Sequence, residues 1–292
     1  MKPEEIFSLQ KDVEHGTKSY PFQVHETVCQ TGMHLYPHMH REFEITYVVR
    51  GRGIFYVDGK EFEVAEGDGI VIPSEAIHLI KPIDEEKGEF FSIVFSSGCF
   101  GKPVENLLYD KFVHPFLTGE KLPNILWRKD GNGYEIFSSK VNRIRELYAQ
   151  NQSELLCQAA LFELWNLIYD TAEKGVPKGS SQRENGPSLA DVLEYIDNNY
   201  GDNITVKLLA EQMNVSEGHF SRVFRSYTQT SPIRYLLNVR LRKSAGLLEQ
   251  GEQSISEIAL HSGFSDFSYY SKCFKKEYGC TPREWARKCR VY

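Results

Sequence analysis

Apolar and polar positions change their rhythm twice along the chain. Between Phe22 and about Phe95 the runs Glu44–Val49, Gly53–Val57, Glu61–Val64, Gly69–Ile72 and Phe90–Phe95 are rich in Ile, Val, Phe and Tyr. Gly51-Arg52-Gly53, Asp58-Gly59 and Glu66-Gly67-Asp68-Gly69 punctuate them. Short strands with turn signals at this spacing predict an antiparallel sandwich or barrel, and Asp58-Gly59 between two strand runs predicts a tight hairpin. Residues 1–20 read as a polar arm, and residues 100–130 as a mixture of short helix and loop. From Tyr134 the period becomes helical. Ile136, Val141, Ile144 and Leu147 mark one helix over Tyr134–Gln150. Leu155, Leu161, Leu164, Trp165, Ile168 and Tyr169 mark a second over Leu155–Ala172. Such a pair predicts a helical hairpin packed on the sheet or on a second subunit. Residues 174–187 combine Gly, Pro, Ser and charge without apolar periodicity and read as a linker, and everything after Ser188 reads as helix.

Within the helical half the chain repeats itself. Ala210, Phe220, Phe224 and Ser231-Pro232 recur as Ala259, Tyr270, Phe274 and Thr281-Pro282. The offset is 49 at the alanine and 50 at the later landmarks, so one residue is gained between them. Each copy reads as helix, turn, longer helix, then a Ser/Thr-Pro start to a further helix. Thr205 and Ser216 are N-cap candidates in the first copy, and Ser254-x-x-Glu257 is a capping box in the second. Thr281-Pro-Arg-Glu284 repeats the start signal, with Trp285 placed to seal the end.

In each longer helix the 3, 4 and 7 spacing separates two faces. Phe220, Val223, Phe224 and Tyr227 form a core face in the first, and Tyr270, Cys273 and Phe274 in the second. The opposite faces carry Gly218, Ser221, Arg222 and Arg225, and fifty residues later Ser268, Ser271, Lys272 and Lys275. Small side chains let a helix approach base edges in the major groove, where Arg or Lys reaches guanine or phosphate. Phe267, at the start of the second such helix, is placed to meet a thymine methyl or to pack beside Phe264. A single helix from Ser231-Pro232 to about Leu248 joins the copies and fixes their separation. Two heads about 34 Å apart enter successive major grooves on one face of DNA.

Charge supports this division of labour. The 292 residues carry a net charge of −6, yet residues 188–292 hold 14 Lys and Arg against 12 Asp and Glu. The remaining 20 basic and 28 acidic residues lie before them. The basic charge is concentrated where the repeat lies, as expected when one end meets phosphate. No apolar run is long enough for a membrane span, and the polar N-terminus is unlike a signal peptide. Six cysteines without a Cys-x-x-Cys pair read as free thiols in a reducing cytoplasm.

One constellation in the strand-rich half carries possible chemistry: His38, His40 and Glu44, with His78 forty residues after His38. Gly32-x5-His38-x-His40-x3-Glu44-x6-Gly51 and Gly67-x5-Pro73 with His78 resemble the two cupin motifs, over about residues 20–95. Glu75 stands where a glycine is usual and Pro82 where an asparagine is usual. In enzymatic cupins the residues matching His38, His40, Glu44 and His78 ligate a divalent metal. On a flat strand, however, His40 and Glu44 would lie about 13 Å apart. A shared metal with bonds near ~2.1 Å therefore requires the chain to bend between them. Three readings stand open: a metal site, an effector cavity lined by these groups together with Tyr47, Phe90 and Ser92, or structural histidines.

The helical half resembles the C-terminal domain of the AraC/XylS family of bacterial transcription regulators. The landmarks are Ala210, Phe224, Arg240-Leu241, Ala245, Leu248, Ile255-x-x-Ile258-Ala259, Gly263-Phe264, Tyr270, Phe274-Lys275-Lys276, Gly279 and Thr281-Pro282. Gln229 departs from it, where the first copy often has glycine. The resemblance implies an α+β chain. Residues 1–173 would form a cupin-like antiparallel β-barrel with a helical hairpin, for effector binding and dimerisation. Residues 174–187 would be the linker and residues 188–292 an all-α DNA-binding domain of two tandem helix-turn-helix units. Residues matching Gly218, Ser221, Arg222, Ser268, Ser271 and Lys272 face the bases in that family. The implied partners are double-stranded DNA, a small-molecule effector such as a sugar, RNA polymerase and a second copy of the chain. No cofactor is expected beyond the open question of a barrel metal, and no catalysis. The competing class is a metal-dependent cupin enzyme with a helical appendage, which leaves the tandem repeat unexplained.

Overall fold

A computed structural model describes residues 22–29, 36–83, 88–101, 106–150, 152–176 and 187–289. The described residues up to 176 belong to one compact unit and those from 187 onward to a second. The N-terminal arm, Gly32 and residues 177–186 of the expected linker lie outside the described residues.

The first unit is built from antiparallel strands that alternate their side chains between two layers of core. Strands β1 (Phe22–Cys29), β7 (Gly88–Phe95), β2 (Phe43–Arg50), β5 (Gly69–Ile72) and β9 (Leu126–Trp127) lie side by side in that order. A second sheet has the order β4 (Lys60–Ala65), β3 (Arg52–Val57), β6 (His78–Pro82). Val48, Phe55, Val57, Val64, Ile70, Ile72, Ile80 and Phe90 form an apolar cluster between the two sheets. The opposite face of the larger sheet sends Phe43, Ile45, Phe91, Ile93 and Phe95 into a larger cluster with the helices. The Asp58-Gly59 hairpin forms as expected. Val57 pairs with Lys60, and both turn residues have positive φ, 47° and 76°, which suits a two-residue turn between twisted strands.

Two helices cover that face: α3 (Tyr134–Ala149) and α4 (Glu154–Thr171), after the short α1 (Leu107–Phe112) and α2 (His114–Leu117). Of the apolar positions expected on them, Val141, Ile144, Leu147, Leu161, Leu164, Trp165 and Ile168 are buried on the protein's own sheet. Ile136 and Leu155 are instead 55% and 74% exposed. Trp165 centres an aromatic cluster, with Phe43, Phe116, Phe95 and Phe100 rings 4.8, 4.9, 5.4 and 5.7 Å away. Its Nε1–H donates to the Phe112 carbonyl at 2.9 Å, so its one polar group is satisfied. Residues 100–130 also contain strand, in β9 and in β8 (Lys121–Leu122), which pairs with β10 (Glu173–Lys174). Gly175 N–H donates to Glu120 O at 2.8 Å, so the start of the expected linker is hydrogen-bonded to the first unit.

The second unit is all helix: α5 (Leu189–Asn198), α6 (Val206–Gln212), α7 (Glu217–Thr228), α8 (Pro232–Gln250), α9 (Ile255–His261), α10 (Phe267–Tyr278) and α11 (Pro282–Cys289). Side chains written into the sequence fix most of the starts. Thr205, Ser216 and Ser231 each accept from the backbone N–H three residues on, and so does Asp266. Ser254/Glu257 and Thr281/Glu284 form reciprocal capping boxes, as does Ser188/Asp191 at the head of α5. Each satisfies donors that a helix end otherwise leaves unpaired. Helix α5 is braced on α8 through Asp197, which meets Arg242 Nη2 and Lys243 Nζ at 2.7 Å each. Arg240 ties the α5–α6 connection to α8 by donating to the carbonyls of Tyr200 and Asp202, both at 2.8 Å.

Candidate functional site

The repeat is a repeat of packing. Over Glu217–Ser226 and Phe267–Lys276, exposed, half-buried and buried positions follow in the same order. Phe220 and Phe224, and fifty residues later Tyr270 and Phe274, are fully buried. The turns before these helices match too. Val215 N–H donates to Ala210 O and Phe264 N–H to Ala259 O, at 3.1 and 3.0 Å. Each turn passes through a residue with positive φ, Asn214 at 55° and Gly263 at 79°. A side chain on Gly263 would also meet the Arg240 guanidinium at 2.8 Å and push it from its hydrogen bonds to Tyr200 and Asp202.

Packing one face inward leaves the other in solvent. Gly218, Arg222, Arg225, Ser268, Lys272 and Lys275 are exposed, and Ser221 and Ser271 are half-buried on the flank. Nothing approaches a Cβ built on Gly218, so it is small without a packing reason. Arg222 Nε lies back on its own helix, 3.3 Å from Gly218 O. Phe267 is 47% exposed with its ring 6.0 Å from that of Tyr270, so it leans on Tyr270 while keeping one face open. His219 and Tyr269 occupy equivalent exposed positions that the sequence reading passed over. Helix α8, 19 residues long, spans about 28 Å between the two units of the repeat.

In the sensor unit, His38, His40, Glu44 and His78 each bring one ligand atom to a cluster with all separations within 4.8 Å. The flat-strand objection fails because His40 is not on the strand. The backbone bends at Arg41 and Glu42 before β2 begins at Phe43. His40 Nε2 consequently lies 3.2 Å from Glu44 Oε2. His38 and His78 face each other through paired backbone hydrogen bonds of 3.1 and 2.9 Å, and Glu75 N–H holds the His40 carbonyl at 2.8 Å.

The hydrogen bonds around the cluster set its chemistry. Nδ1 of His38, His40 and His78 lies 2.8, 3.1 and 2.9 Å from the carbonyls of Tyr36, Glu42 and Ala76. A carbonyl only accepts, so each Nδ1 carries a proton and Nε2 is the atom turned toward the cluster. At His40, Nε2 also donates to the Glu44 carboxylate, a proton that a metal would have to displace. His78 Nε2 is buried and 3.4 Å from Glu44 Oε2, but it has no aligned hydrogen-bond partner. Thr46 Oγ1 donates to Glu44 Oε1 at 2.6 Å and accepts from Ser92, also at 2.6 Å. Burial would raise the Glu44 carboxyl, but the neighbouring His40 and His78 hold it well below the usual range. Burial would likewise lower His40, and Glu44 and Glu42 together more than offset this to raise it. Two atoms on one metal with bonds near ~2.1 Å are at most about 4.2 Å apart. The residues suit a divalent ion once the widest separation, up to 4.8 Å, closes by at least about 0.6 Å, with each imidazole oriented by a second hydrogen bond.

The other three effector candidates separate. Ser92 joins the cluster only through Thr46. Phe90 is 3% exposed, with its ring edge-on to Phe55 in the inter-sheet core, so it fills space. Tyr47 lies on the opposite face of β2, three residues from Glu44, and meets Tyr134 Oη at 3.1 Å under α3. His25 was missed. It stands in register with Ser92 across β1 and β7, and Ser92 with Thr46 across β7 and β2. Burial lowers its pKa, with Glu44 acting to raise it and His40 to lower it further.

The same two-part organisation is found in known proteins. A family model described as the AraC-like ligand binding domain matches residues 22–165, and one described as a helix-turn-helix domain matches residues 209–288. The chain belongs to the AraC family of transcription regulators. It is 23% identical over 285 residues to the HTH-type transcriptional regulator YdeC of Bacillus subtilis, covering 96% of each chain. It is 24% identical to the Msm operon regulatory protein of Streptococcus mutans, over 89% of each. With the HTH-type transcriptional activator RhaS of Escherichia coli O157:H7 it shares 25% identity, over 85% of this chain and 87% of that one. The solved structure of ToxT from Vibrio cholerae O395 aligns over 93% of this chain and 99% of its own, at a TM-score of 0.45 and 15% identity. This AraC-family regulator therefore pairs a ligand-binding unit with a DNA-binding unit of two helix-turn-helix motifs. Among the described residues no helix is long and apolar enough to cross a membrane.

Proposed function

We propose that this regulator binds promoter DNA through the exposed faces of α7 and α10, under control of a small molecule held beside the His38, His40, Glu44 and His78 cluster. The observation that carries the DNA reading is the matched burial of the two helices, which repeats an outer face of small and basic side chains fifty residues apart. Gly218, Ser221, Arg222 and Arg225 read one element, and Phe267, Ser268, Ser271, Lys272 and Lys275 the other. The elements differ in chemistry, so one chain reads a directional site. Binding to a duplex should weaken linearly on a log–log salt plot as condensed counterions are displaced. A flat plot for the full chain sinks DNA binding as the function.

The cluster supports a divalent metal in the sensor. Once the His40 Nε2 proton is displaced, three imidazoles and one carboxylate are a donor set for Zn, Cu, Fe or Ni rather than for Ca or Mg. The metal would give an effector a Lewis-acidic anchor, with His25 and Ser92 beside it as polar contacts. This reading assigns the site to sensing rather than turnover. Elemental analysis of the purified full chain should find a stoichiometric divalent metal, lost in both His78→Ala and Glu44→Gln. A metal-free wild type removes the metal and leaves the DNA reading intact.

The helical hairpin leaves Ile136, Leu155 and Leu156 exposed. These apolar side chains suit contact with a second copy of the chain, giving a cytoplasmic homodimer that presents two directional elements to promoter DNA and RNA polymerase.

A further inference from the structure

Between the two reading helices lies a groove of about 370 Å³ with an apolar floor and a basic rim. Leu236, Leu237 and Phe264 form the floor, and Ile233, Arg234 and Tyr269 the rim. Arg234 sits on the first turn of α8, just beyond the end of α7, and Tyr269 on the first turn of α10. The groove is thus bounded by the exit of one reading helix and the entrance of the other. Ile233 and Tyr269 are 51% and 54% exposed, and Arg234 is exposed. Arg240 also lines the groove, and no carboxylate is among its lining residues. The Arg240 guanidinium donates to two neutral carbonyls, which orient its charge without cancelling it. Asp266, beside Tyr269, spends its carboxylate on capping α10 at 2.6 Å from Tyr269 N.

We propose that this groove seats the sugar–phosphate backbone of the DNA spacer between the two elements, with Arg234 on a phosphate and Ile233 and Tyr269 against deoxyribose edges. The proposal rests on the reading that α7 and α10 enter DNA. A duplex held by both heads must pass whatever lies between them, and here that surface carries two guanidiniums and no acid. Phosphate contacts carry no sequence information but fix register. With α8 fixing the separation of the two heads, the groove holds the register of the spacer between them. An acidic segment of a protein partner shares the charge complementarity. DNA is favoured because one rim is the first turn of α8, which follows the end of α7 after three residues, and the other is the first turn of the reading helix α10.

The test uses the full chain, a duplex recovered by in vitro selection and a scrambled duplex of equal length, with anisotropy as the readout. Arg234→Ala should weaken binding to both duplexes by a similar factor, roughly three- to tenfold, and make the log–log salt slope shallower by about one. Arg234→Lys should recover most of the loss, since phosphate accepts a point charge. Neutral methylphosphonates in the spacer should weaken the wild type and leave Arg234→Ala nearly unaffected. Unchanged affinity and slope for Arg234→Ala on both duplexes overturn the proposal. So does a variant that binds DNA normally but fails to activate or repress transcription, which assigns the groove to a protein. A wild type with no salt dependence fails at the earlier step, the DNA reading itself.

Discussion

Fifty residues apart, Phe220 and Tyr270 are buried to the same depth, as are Phe224 and Phe274, while Arg222 and Lys272 leave the surface at matching points. The residues that hold the helices in place are large and apolar in both copies. Those that face outward share small size and positive charge but little else: Gly218, His219 and Arg222 in one, Ser268, Tyr269 and Lys272 in the other. A core position is constrained by the volume around it, which the repeat duplicates. On the proposed reading an outward position is constrained by the DNA element it meets, and nothing requires the two elements to be alike. Arg and Lys also differ as readers, since a guanidinium engages a guanine edge with two parallel hydrogen bonds and an ammonium acts as a point charge.

The largest expected effects test the shared half of this comparison. Phe224→Ala and Phe274→Ala should each lower unfolding stability of the helical unit by about 3–5 kcal/mol, through lost burial and the cavity left behind. Equilibrium denaturation measures both. A loss below about 1 kcal/mol in one variant alone would show that the two copies do not share one packing role.

Next come effects on the half that differs. Arg222→Ala and Lys272→Ala should each weaken DNA binding by about 1–3 kcal/mol with no change in stability. Selection from a random duplex pool should show Arg222→Ala relaxing base preference in one element only, and Lys272→Ala costing affinity with less relaxation in the other. Preferences that shift in both elements with either variant would contradict one helix per element.

Much of the helical unit is legible because its helix starts are written as side chains. Ser216, Ser231, Ser254 and Thr281 cap the helices they precede, and the buried faces follow from 3.6-residue spacing alone. The sensor is legible in outline and less so in its site. His38, His40, Glu44 and His78 converge, yet a bend at two residues decided whether His40 could reach Glu44. Tyr47 was misplaced although strand parity was available, because three residues from Glu44 is the opposite face. His25 and Thr46 carry no motif. Thr46 shares Glu44's face by strand parity alone, whereas the place of His25 depends on the β1–β7–β2 register, which no single strand encodes. The two departures from family glycines behave alike: Glu75 and Gln229 both hold positive φ, 63° and 56°. The conformation was kept while the residue that adopts it most easily was not.

That last point gives the smallest and most specific prediction. Helices α7 and α10 end the same way, with a left-handed residue whose N–H donates to the carbonyl four back, but the residue is Gln229 in one and Gly279 in the other. A side chain in this conformation costs about 1–2 kcal/mol, partly offset because glycine gains freedom in the unfolded chain. The Gln229 amide also donates to Ser226 O at 3.0 Å, which recovers part of the cost. Gln229→Gly should therefore stabilise the unit by at most about 1 kcal/mol. Gly279→Gln should destabilise it by a similar amount, since nothing lies within 4 Å of a Cβ built there to add a clash to the conformational cost. Opposite signs in the two denaturation midpoints would confirm that the copies share a backbone requirement that their sequences meet differently. Equal signs would mean that contacts of the Gln229 side chain, rather than the turn geometry, decide the first copy.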